Sequence, residues 1–255
     1  MEFSAFARLA MDDIATCLTF YTRLPFSPNG RVRRSFAQAQ WAAPLAGLVV
    51  GFSGGVAYVI AELIGLPDFI AAIFGLGVTV LITGCLHEDG LADVADGFGG
   101  GSGKERKLEI MKDSRIGTYG VAALALTLLL RWSAIAALTS PGAAMAAFVA
   151  AHMASRALIP SFMRLVPPAR DNGLSAGAGA IPLDAAQGAL GIGVVSLFLI
   201  GLPGVLIAAA FLAIWFFLLR RLCEQQIGGQ TGDVLGCLQQ GAEIVVLLAA
   251  CSFLK

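Results

Sequence analysis

Long uncharged runs alternate with short polar segments along most of the chain, and this pattern predicts helices that cross a membrane. A helix needs about 20 apolar residues to cross the hydrocarbon core. Runs that approach or exceed this length, with at most an isolated charge, lie at 41–61, 69–86, 117–138, 143–162 and 185–219. The longest covers 35 residues with Pro203 near its middle, so we expect a hairpin of two short helices there. With the last apolar stretch, which ends at Leu254, the chain is expected to have about seven spans.

The first 34 residues have a different pattern. Apolar side chains between positions 3 and 21 recur at helical spacing, which predicts an amphipathic helix that lies on the membrane surface or against the bundle. Pro25 disfavours helix at the preceding residue and so ends this element. The basic cluster Arg31, Arg33 and Arg34 follows, and we expect it to bind anionic lipid.

Composition supports an all-α, polytopic membrane bundle. Hydrophobic residues make up 57% of the 255 residues, and 17 basic residues balance 17 acidic ones. A neutral and strongly apolar chain is neither a nucleic-acid-binding protein nor an ordinary soluble domain. We therefore treat residues 1–255 as one membrane-embedded domain whose surroundings are the lipid bilayer. The sequence leaves open whether it forms a homo-oligomer.

Cations are distributed unevenly among the predicted loops. Five arginines precede the first span, and five Lys or Arg residues lie between the second and third spans. The alternate loops 62–68, 139–142 and 201–204 contain none. The positive-inside rule then places the N-terminus and the charged loops in the cytoplasm. We accordingly predict a multi-pass protein of the bacterial inner membrane whose polar motifs face the cytoplasm.

Residues 85–120 form a charged island that holds 12 of the chain's 34 Lys, Arg, Asp and Glu residues. Asp89, Asp93 and Asp96 fall at i, i+4 and i+7, which places them within roughly 60° of arc on one helix face. Such close carboxylates repel one another unless a cation lies between them, and hard oxygen ligands suit Mg²⁺. A solvated helix face is the alternative. The metal site is favoured because the triplet directly follows an uncharged run ending at Leu86.

The island continues with glycines at 97–103, which predict a flexible loop, and then with cations that include Lys112 and Arg115. Metal ligands followed by a glycine loop and cations indicate a site for a phosphate-bearing substrate, so we expect 87–116 to be the active-site segment. Residues 112–115 could instead form a local salt-bridge cluster. His87 is a candidate base, although it would project from the opposite side of the helix if the helix includes it.

A second polar segment spans 228–243 and begins GGQTGDVLG. Its glycines allow a close approach of backbone to a ligand. Asp233 could cap the following helix or bind metal or ribose. Two cations within predicted spans also have alternative interpretations. Arg131 either reaches the surface or pairs with an acidic residue inside the bundle, and Arg156, one turn after His152, serves either anion binding or structure.

Taken together, HEDGLADVADGFGG and KLEIMKDSRIGTYG closely resemble the central motif of the cobalamin synthase family, the adenosylcobinamide-GDP ribazoletransferases. FYTRLP, PLAGLVVG, PPARDNGL and GGQTGDVLG, beginning at residues 20, 44, 167 and 228, look like the flanking motifs in the same order. The resemblance covers nearly the whole chain. Glu88 departs from the family pattern that the resemblance implies, which has an apolar residue there, so we place no weight on it.

The resemblance implies a Mg²⁺-dependent membrane transferase that joins adenosylcobinamide-GDP to α-ribazole, or to its 5′-phosphate, with release of GMP. It implies metal binding by Asp89, Asp93 and Asp96, and catalytic roles for Lys112, Arg115 and His87. It also implies substrate contacts for five residues in the motifs: Arg23, Asp113, Arg170, Thr231 and Asp233.

Three other functions are alternatives. A CDP-alcohol phosphotransferase also uses clustered aspartates and Mg²⁺, but its DGxxAR pattern fails here because Asp93 and Val94 replace Ala and Arg. A membrane prenyltransferase would need a second Asp-rich motif, whereas the second segment offers only Asp233. An ion-coupled transporter could use intramembrane Asp and Arg residues, but it usually has internal repeats, and no convincing repeat is visible.

Overall fold

The computed structural model describes residues 2–26, 34–171 and 173–254, and within them it contains helices and no strands. The predicted all-α class is confirmed. Twelve α-helices follow one another in these described segments: α1 (Glu2–Tyr21), α2 (Phe36–Ala39), α3 (Ala43–Leu63), α4 (Asp68–Thr83), α5 (Leu86–Gly100), α6 (Lys104–Ile110), α7 (Thr118–Ala136), α8 (Pro141–Leu165), α9 (Leu174–Gly177), α10 (Leu183–Leu197), α11 (Gly201–Ile227) and α12 (Gly232–Phe253).

Five helical stretches of the described chain are long and apolar enough to cross a membrane, or six if the bent pair α4–α5 counts as one span. The predicted count of seven is not reached by this measure. The difference lies in Leu183–Ile227, which counts here as one apolar stretch of 45 residues. It contains residues 185–219, which were predicted to form two spans. It is interrupted at Gly201, whose φ of 77° breaks the helix two residues before Pro203. The prediction of two short helices is therefore wrong for α11, which has 27 residues.

Helix α8 is the centre of the bundle, because it packs against α3, α10 and α12. Its contact with α3 is close. A Cβ on Gly47 would lie 2.2 Å from the His152 carbonyl oxygen, and one on Gly51 would lie 2.5 Å from the Phe148 carbonyl oxygen. Small residues four apart allow two backbones to approach in this way inside a membrane. The glycines of the PLAGLVVG motif therefore have a packing role.

Helix α1 confirms the predicted amphipathic helix and packs against the bundle. Cys17 and Tyr21 are buried, whereas Met11 is exposed. Buried Asp13 accepts hydrogen bonds from Trp41 Nε1 at 2.7 Å and from Arg34 at 2.8 Å. Arg34 thus pairs with a carboxylate of the protein. Arg31 and Arg33, the other members of the predicted lipid-binding cluster, lie outside the described residues.

A sharp bend of 86° separates α4 from α5. Gly84 and Cys85 form the bend, and both have left-handed backbone conformations with φ near 60°. The second predicted span therefore ends at Thr83, and α5 leaves it in a new direction. This geometry brings α5 against α7 and α12.

The predicted glycine loop at 97–103 is wrong over its first four residues, because α5 continues through Gly100. The glycines there are needed for packing. A Cβ on Gly97 would lie 2.5 Å from Met111 Cγ, and one on Gly99 would lie 2.7 Å from Tyr119 Cγ. Small side chains let α6 and the start of α7 approach α5, so only residues 101–103 connect the helices as a loop.

Candidate functional site

Helix α5 places the three predicted metal ligands in three different environments. Asp89 is exposed, Asp93 is half-buried and Asp96 is buried. Both carboxylate oxygens of Asp96 accept backbone N–H groups at the start of α7, from Gly117 at 2.7 Å and from Gly120 at 2.9 Å. These are orphan donors of a helix N-terminus, which carboxylates commonly satisfy. Asp96 therefore fixes α7 to the end of α5.

The second polar segment packs directly onto the first half of α5. A Cβ on Gly90 would lie 2.8 Å from the Asp233 carbonyl oxygen, and one on Gly236 would lie 3.0 Å from the His87 carbonyl oxygen. Thr231 caps α12 by accepting from Val234 N at 3.3 Å. It also donates to Asp233 Oδ2 at 3.1 Å. The cap is thus Thr231, and Asp233 is left in the first turn with its carboxylate near α5.

A short parallel bridge brings the third motif to the same place. Ala169 N donates to the Gln230 carbonyl oxygen, and Gln230 N donates to the Pro167 carbonyl oxygen, both at 2.8 Å. The bridge joins PPARDNGL to GGQTGDVLG. It places Arg170 Nη2 3.7 Å from Asp233 Oδ2.

The electrostatics of this junction are dominated by carboxylates. Asp93 is acted on by the negative charges of Asp233, Asp89 and Asp96, with Arg170 as the opposing positive charge. Arg170 Nη1 is buried and has no hydrogen-bond partner among the described residues. An acidic cluster beside a guanidinium with a free donor can bind a cation and a phosphate together, because the guanidinium contacts phosphate directly. We call Asp89, Asp93, Arg170 and Asp233 the acidic junction.

The acidic junction contains the oxygen donors that could hold a divalent cation. No group of three or more His, Cys, Asp or Glu residues within the described segments is arranged to hold one by itself. A site with fewer than three protein ligands is still compatible with Mg²⁺, which usually takes one or two protein carboxylates and completes its shell with water and substrate phosphates. The unpartnered Arg170 nitrogen supports the same interpretation, since a substrate phosphate would satisfy it.

A cavity of about 170 Å³ opens beside the acidic junction. Its polar side is formed by His87, Asp89 and Asp233, and its apolar side by aromatic and aliphatic residues from α1, α2 and α8. His87 is buried and its ring stacks on that of Tyr21, with centroids 6.0 Å apart. Helix α5 does include His87. His87 lines the cavity together with Asp89, but the charged groups that act on its ring are those of the bundle interior, Arg156, His152, Arg131 and Glu243.

The predicted cations at 112–115 lie at the other end of α5. Arg115 is 87% exposed and pairs with Asp113 at 2.7 Å, which agrees with the alternative of a local salt-bridge cluster. Hydrogen bonds from Arg115 lower the pKa of Asp113 to about 2. Arg115 and Asp113 line an open cleft that also includes Asp96. Lys112, Asp113 and Arg115 are not among the residues that line the cavity beside the acidic junction. Asp96, which shares the open cleft with Asp113 and Arg115, lies about 10 Å along α5 from Asp89.

Arg23 lies at the bend between α4 and α5. Its backbone N–H donates to the Ile82 carbonyl oxygen at 2.7 Å, and its side chain covers Gly84 so closely that a Cβ there would lie 2.4 Å from Arg23 Nε. The side chain is exposed. The FYTRLP motif thus meets the chain immediately before the helix that carries the aspartates.

A buried ionic network behind α5 was only partly predicted. Arg131 donates to Glu88 at 3.0 Å and to Glu243 at 3.1 Å, and His152 Nδ1 lies 3.3 Å from Glu243. Of the two alternatives given for Arg131, the structure shows the acidic partner inside the bundle. Glu88, one residue before Asp89, received no weight from the sequence. The signal that could have identified it is the cost of a carboxylate buried in the bundle, which requires a paired cation.

Comparison with known proteins identifies the family. A family model described as cobalamin-5-phosphate synthase matches residues 13–251. The protein of Mesorhizobium japonicum named adenosylcobinamide-GDP ribazoletransferase is 52% identical over 243 residues, covering 95% of this chain and 94% of its own length. Proteins of the same name from Bradyrhizobium diazoefficiens and Azorhizobium caulinodans are 50% and 42% identical, and the alignments cover 96% and 95% of this chain and 95% and 96% of theirs.

No solved structure gives a significant match. The motifs that meet at the acidic junction are those through which the sequence resembles cobalamin synthases, and the matched region includes all of them. The chain belongs to the cobalamin-5-phosphate synthase family and is an enzyme of the transferase class.

Proposed function

We propose that this protein is a Mg²⁺-dependent transferase that joins adenosylcobinamide-GDP to α-ribazole, or to its 5′-phosphate, and releases GMP. The observation that carries the proposal is the convergence of three separate motifs on the acidic junction. A pyrophosphate-linked donor needs both a metal-binding carboxylate cluster and a guanidinium for phosphate. The acidic junction offers both, and the adjoining cavity offers room for an acceptor.

Asp93 and Asp233 would hold Mg²⁺ with Asp89 beside them, in keeping with the one or two protein carboxylates that this ion usually takes. When bound, the ion would supply positive charge to the phosphate oxygens of the donor. Asp96 is assigned instead to fixing α7, because both of its oxygens already accept backbone N–H groups. Asp96 therefore joins α7 to α5, the helix that also carries Asp89 and Asp93. In this respect the proposal differs from the metal set that the resemblance implies.

Arg170 is assigned to the donor pyrophosphate. Its Nη1 is buried and has no hydrogen-bond partner in the described part of the chain, and a guanidinium matches the geometry of phosphate oxygens. Negative charge grows on the leaving GMP as the P–O bond breaks, and a fixed cation there lowers the barrier. This assignment replaces the one given to Lys112 and Arg115, which lie at the far end of α5. We retain Thr231 as the residue that orients Asp233 through its 3.1 Å hydrogen bond.

The reaction is proposed as a direct in-line displacement. A ribose hydroxyl of the acceptor forms a bond to the cobinamide-side phosphorus while the bond from that phosphorus to the GMP oxygen breaks. The hydroxyl proton passes to a carboxylate of the acidic junction or to His87, and the carboxylate is favoured because His87 is buried. GMP leaves with the bonding electron pair. No activated Ser or Cys with an adjacent base is part of the acidic junction, so no covalent enzyme intermediate is included.

The decisive assay uses the purified full-length protein in lipid nanodiscs. Supplied with adenosylcobinamide-GDP and Mg²⁺, it should release GMP only when α-ribazole is added, and the cobalamin product should form in equal amount. A transporter would release no GMP in this assay. Stoichiometric GMP release without the acceptor would contradict direct displacement, and no release with the acceptor from folded protein would contradict the proposed reaction.

We also propose that the acidic junction faces the cytoplasm of a bacterial inner membrane. The uneven distribution of loop cations supports this orientation. The arrangement would give the site direct access to soluble nucleotide substrates.

A further inference from the structure

The cavity beside the acidic junction has two chemically different sides. His87, Asp89 and Asp233 form one side. The other contains Phe20, Tyr21 and Phe36, together with aliphatic residues of α5 and α8. The ring centroids of Phe20 and Phe36 lie 4.7 Å apart, and those of Phe20 and Tyr21 lie 4.9 Å apart. The three rings therefore form one aromatic wall.

We propose that this cavity binds the base of the acceptor nucleoside, with the aromatic wall against a flat benzimidazole ring and the ribose directed toward Asp89 and Asp233. The inference rests on the function proposed above and names the subsite that the acceptor would occupy. It assigns a binding role to the end of α1, which the donor site does not use.

Size favours this occupant over the corrinoid part of the donor. The cavity measures about 170 Å³. A dry cavity of about 150 Å³ lined by apolar side chains holds a benzene molecule. The space in the protein is therefore suited to a one- or two-ring group and is far too small for a corrin macrocycle, which must remain outside it.

Polarity favours benzimidazole over guanine, the other base in the reaction. Guanine has O6 and N7 acceptors and an N2 donor, which need polar partners when buried. The aromatic wall offers few. The Tyr21 hydroxyl is already committed, since it donates to Gln40 Oε1 at 2.7 Å. Ile159 and Met163 continue the apolar surface. A methylated benzimidazole has an apolar edge and loses little by contact with such a surface.

The position of the cavity's polar side also favours the acceptor nucleoside over the donor as its ligand. A base on the aromatic wall leaves the attached ribose between His87 and the carboxylates, where a hydroxyl can reach both the proposed base and the donor phosphorus. Arg170, the cation assigned to the donor pyrophosphate, does not line the cavity, so the donor lies on the other side of Asp233 from the base. The geometry thus separates acceptor and donor on two sides of Asp233.

The test measures equilibrium binding of α-ribazole to the full-length protein in nanodiscs, in the absence of donor and turnover. Phe20→Leu and Phe36→Leu keep the surface apolar but remove aromatic stacking, which is worth about 1–3 kcal/mol per base. Each should raise the Kd for α-ribazole roughly tenfold. Phe74→Leu is the matched control, because Phe74 is exposed on α4 and lies outside the cavity. It should leave the Kd unchanged.

Met163→Trp provides a second test that does not depend on lost stacking. The larger side chain narrows the cavity, so it should weaken binding of α-ribazole more than binding of the analogous nucleoside without methyl groups. Wild-type Kd values in both Phe variants would overturn the proposal, and so would weakened binding of adenosylcobinamide-GDP with α-ribazole unaffected. Failure of the proposed reaction is seen separately, as no GMP release from wild-type protein that still binds α-ribazole.

Discussion

Three aspartates on one face of α5 have three different environments, although they are chemically identical. Asp89 is open to the cavity, Asp93 is surrounded by other carboxylates, and Asp96 is tied to the start of α7. Spacing alone places them on one face. Only the tertiary contacts distinguish a carboxylate that could bind a cation from one that already accepts two backbone hydrogen bonds.

Asp93→Asn should lower turnover by more than about 100-fold at saturating donor, because a neutral amide is a poor ligand for a hard cation. Its melting temperature should stay near that of the wild type. Asp96→Ala should lower the melting temperature instead, since loss of a helix cap costs about 0.5–2 kcal/mol of stability. Its turnover should fall much less than that of Asp93→Asn. Turnover and thermal unfolding, measured on the same preparations, decide between the two. Wild-type turnover in Asp93→Asn would remove it from the site.

Arg170→Gln should raise the KM for adenosylcobinamide-GDP roughly tenfold or more, because it removes a charge-assisted contact to the donor phosphate. The KM for α-ribazole should change little. Arg220→Gln is a suitable control, since Arg220 forms an exposed pair with Glu224 on α11. If both arginine variants gave the same small change, Arg170 would have no special role toward the donor.

At the scale of elements, the acidic junction depends on two local devices. The left-handed residues Gly84 and Cys85 turn α5 away from α4. The bridge between Pro168 and Gln230 then holds two loops against α5 and α12. Gly229 is essential to that bridge, because a Cβ there would lie 2.2 Å from the Pro167 carbonyl oxygen.

Gly229→Ala should therefore raise the KM for the donor strongly, since it forces the loop that carries Arg170 away from Asp233. Gly177→Ala is the matched control, because a Cβ at Gly177 would meet no atom within 4 Å. The measurement is the KM for the donor together with the melting temperature. A Gly229→Ala protein with normal donor KM would show that the bridge does not position Arg170.

At the scale of the whole molecule, the ionic network of Glu88, Arg131 and Glu243 joins α5, α7 and α12 within the bundle. Breaking a buried pair typically costs about 3–5 kcal/mol, because it leaves an uncompensated charge. This network connects the helix that carries the aspartates to the centre of the fold. It holds α5 through Glu88, the residue that precedes Asp89.

The proposed orientation is tested by single cysteines in a background that lacks the five native ones. A cysteine replacing Ser102 should be protected from an impermeant reagent added to intact cells, and one replacing Asp68 should react. These positions lie in the loop before α6 and at the start of α4. Labelling at position 102 from the periplasmic side would reverse the orientation.

Much of the fold could be predicted because helical periodicity and uncharged length are local properties of the sequence. The acidic triplet on α5 could be predicted for the same reason. The contact between Arg170 and Asp233 could not, because it depends on a bridge between residues about 60 positions apart. Lys112 and Arg115 were expected at the metal site from their nearness in sequence, but α5 carries the chain about 10 Å past it. Gly97 and Gly99 were predicted to lie in a loop because the residues they pack against, Met111 and Tyr119, are distant in sequence.

The most direct measurement of the central claim is Mn²⁺ binding followed by electron paramagnetic resonance, with Mn²⁺ in place of Mg²⁺ and adenosylcobinamide-GDP present. The wild type should bind Mn²⁺ in a donor-dependent manner. Asp93→Asn and Asp233→Asn should each lose this signal, although the two residues lie in separate motifs, and Asp113→Asn, at the other end of α5, should keep it. Loss of the signal in Asp113→Asn, with retention in Asp93→Asn and Asp233→Asn, would contradict the assignment of the site to the acidic junction.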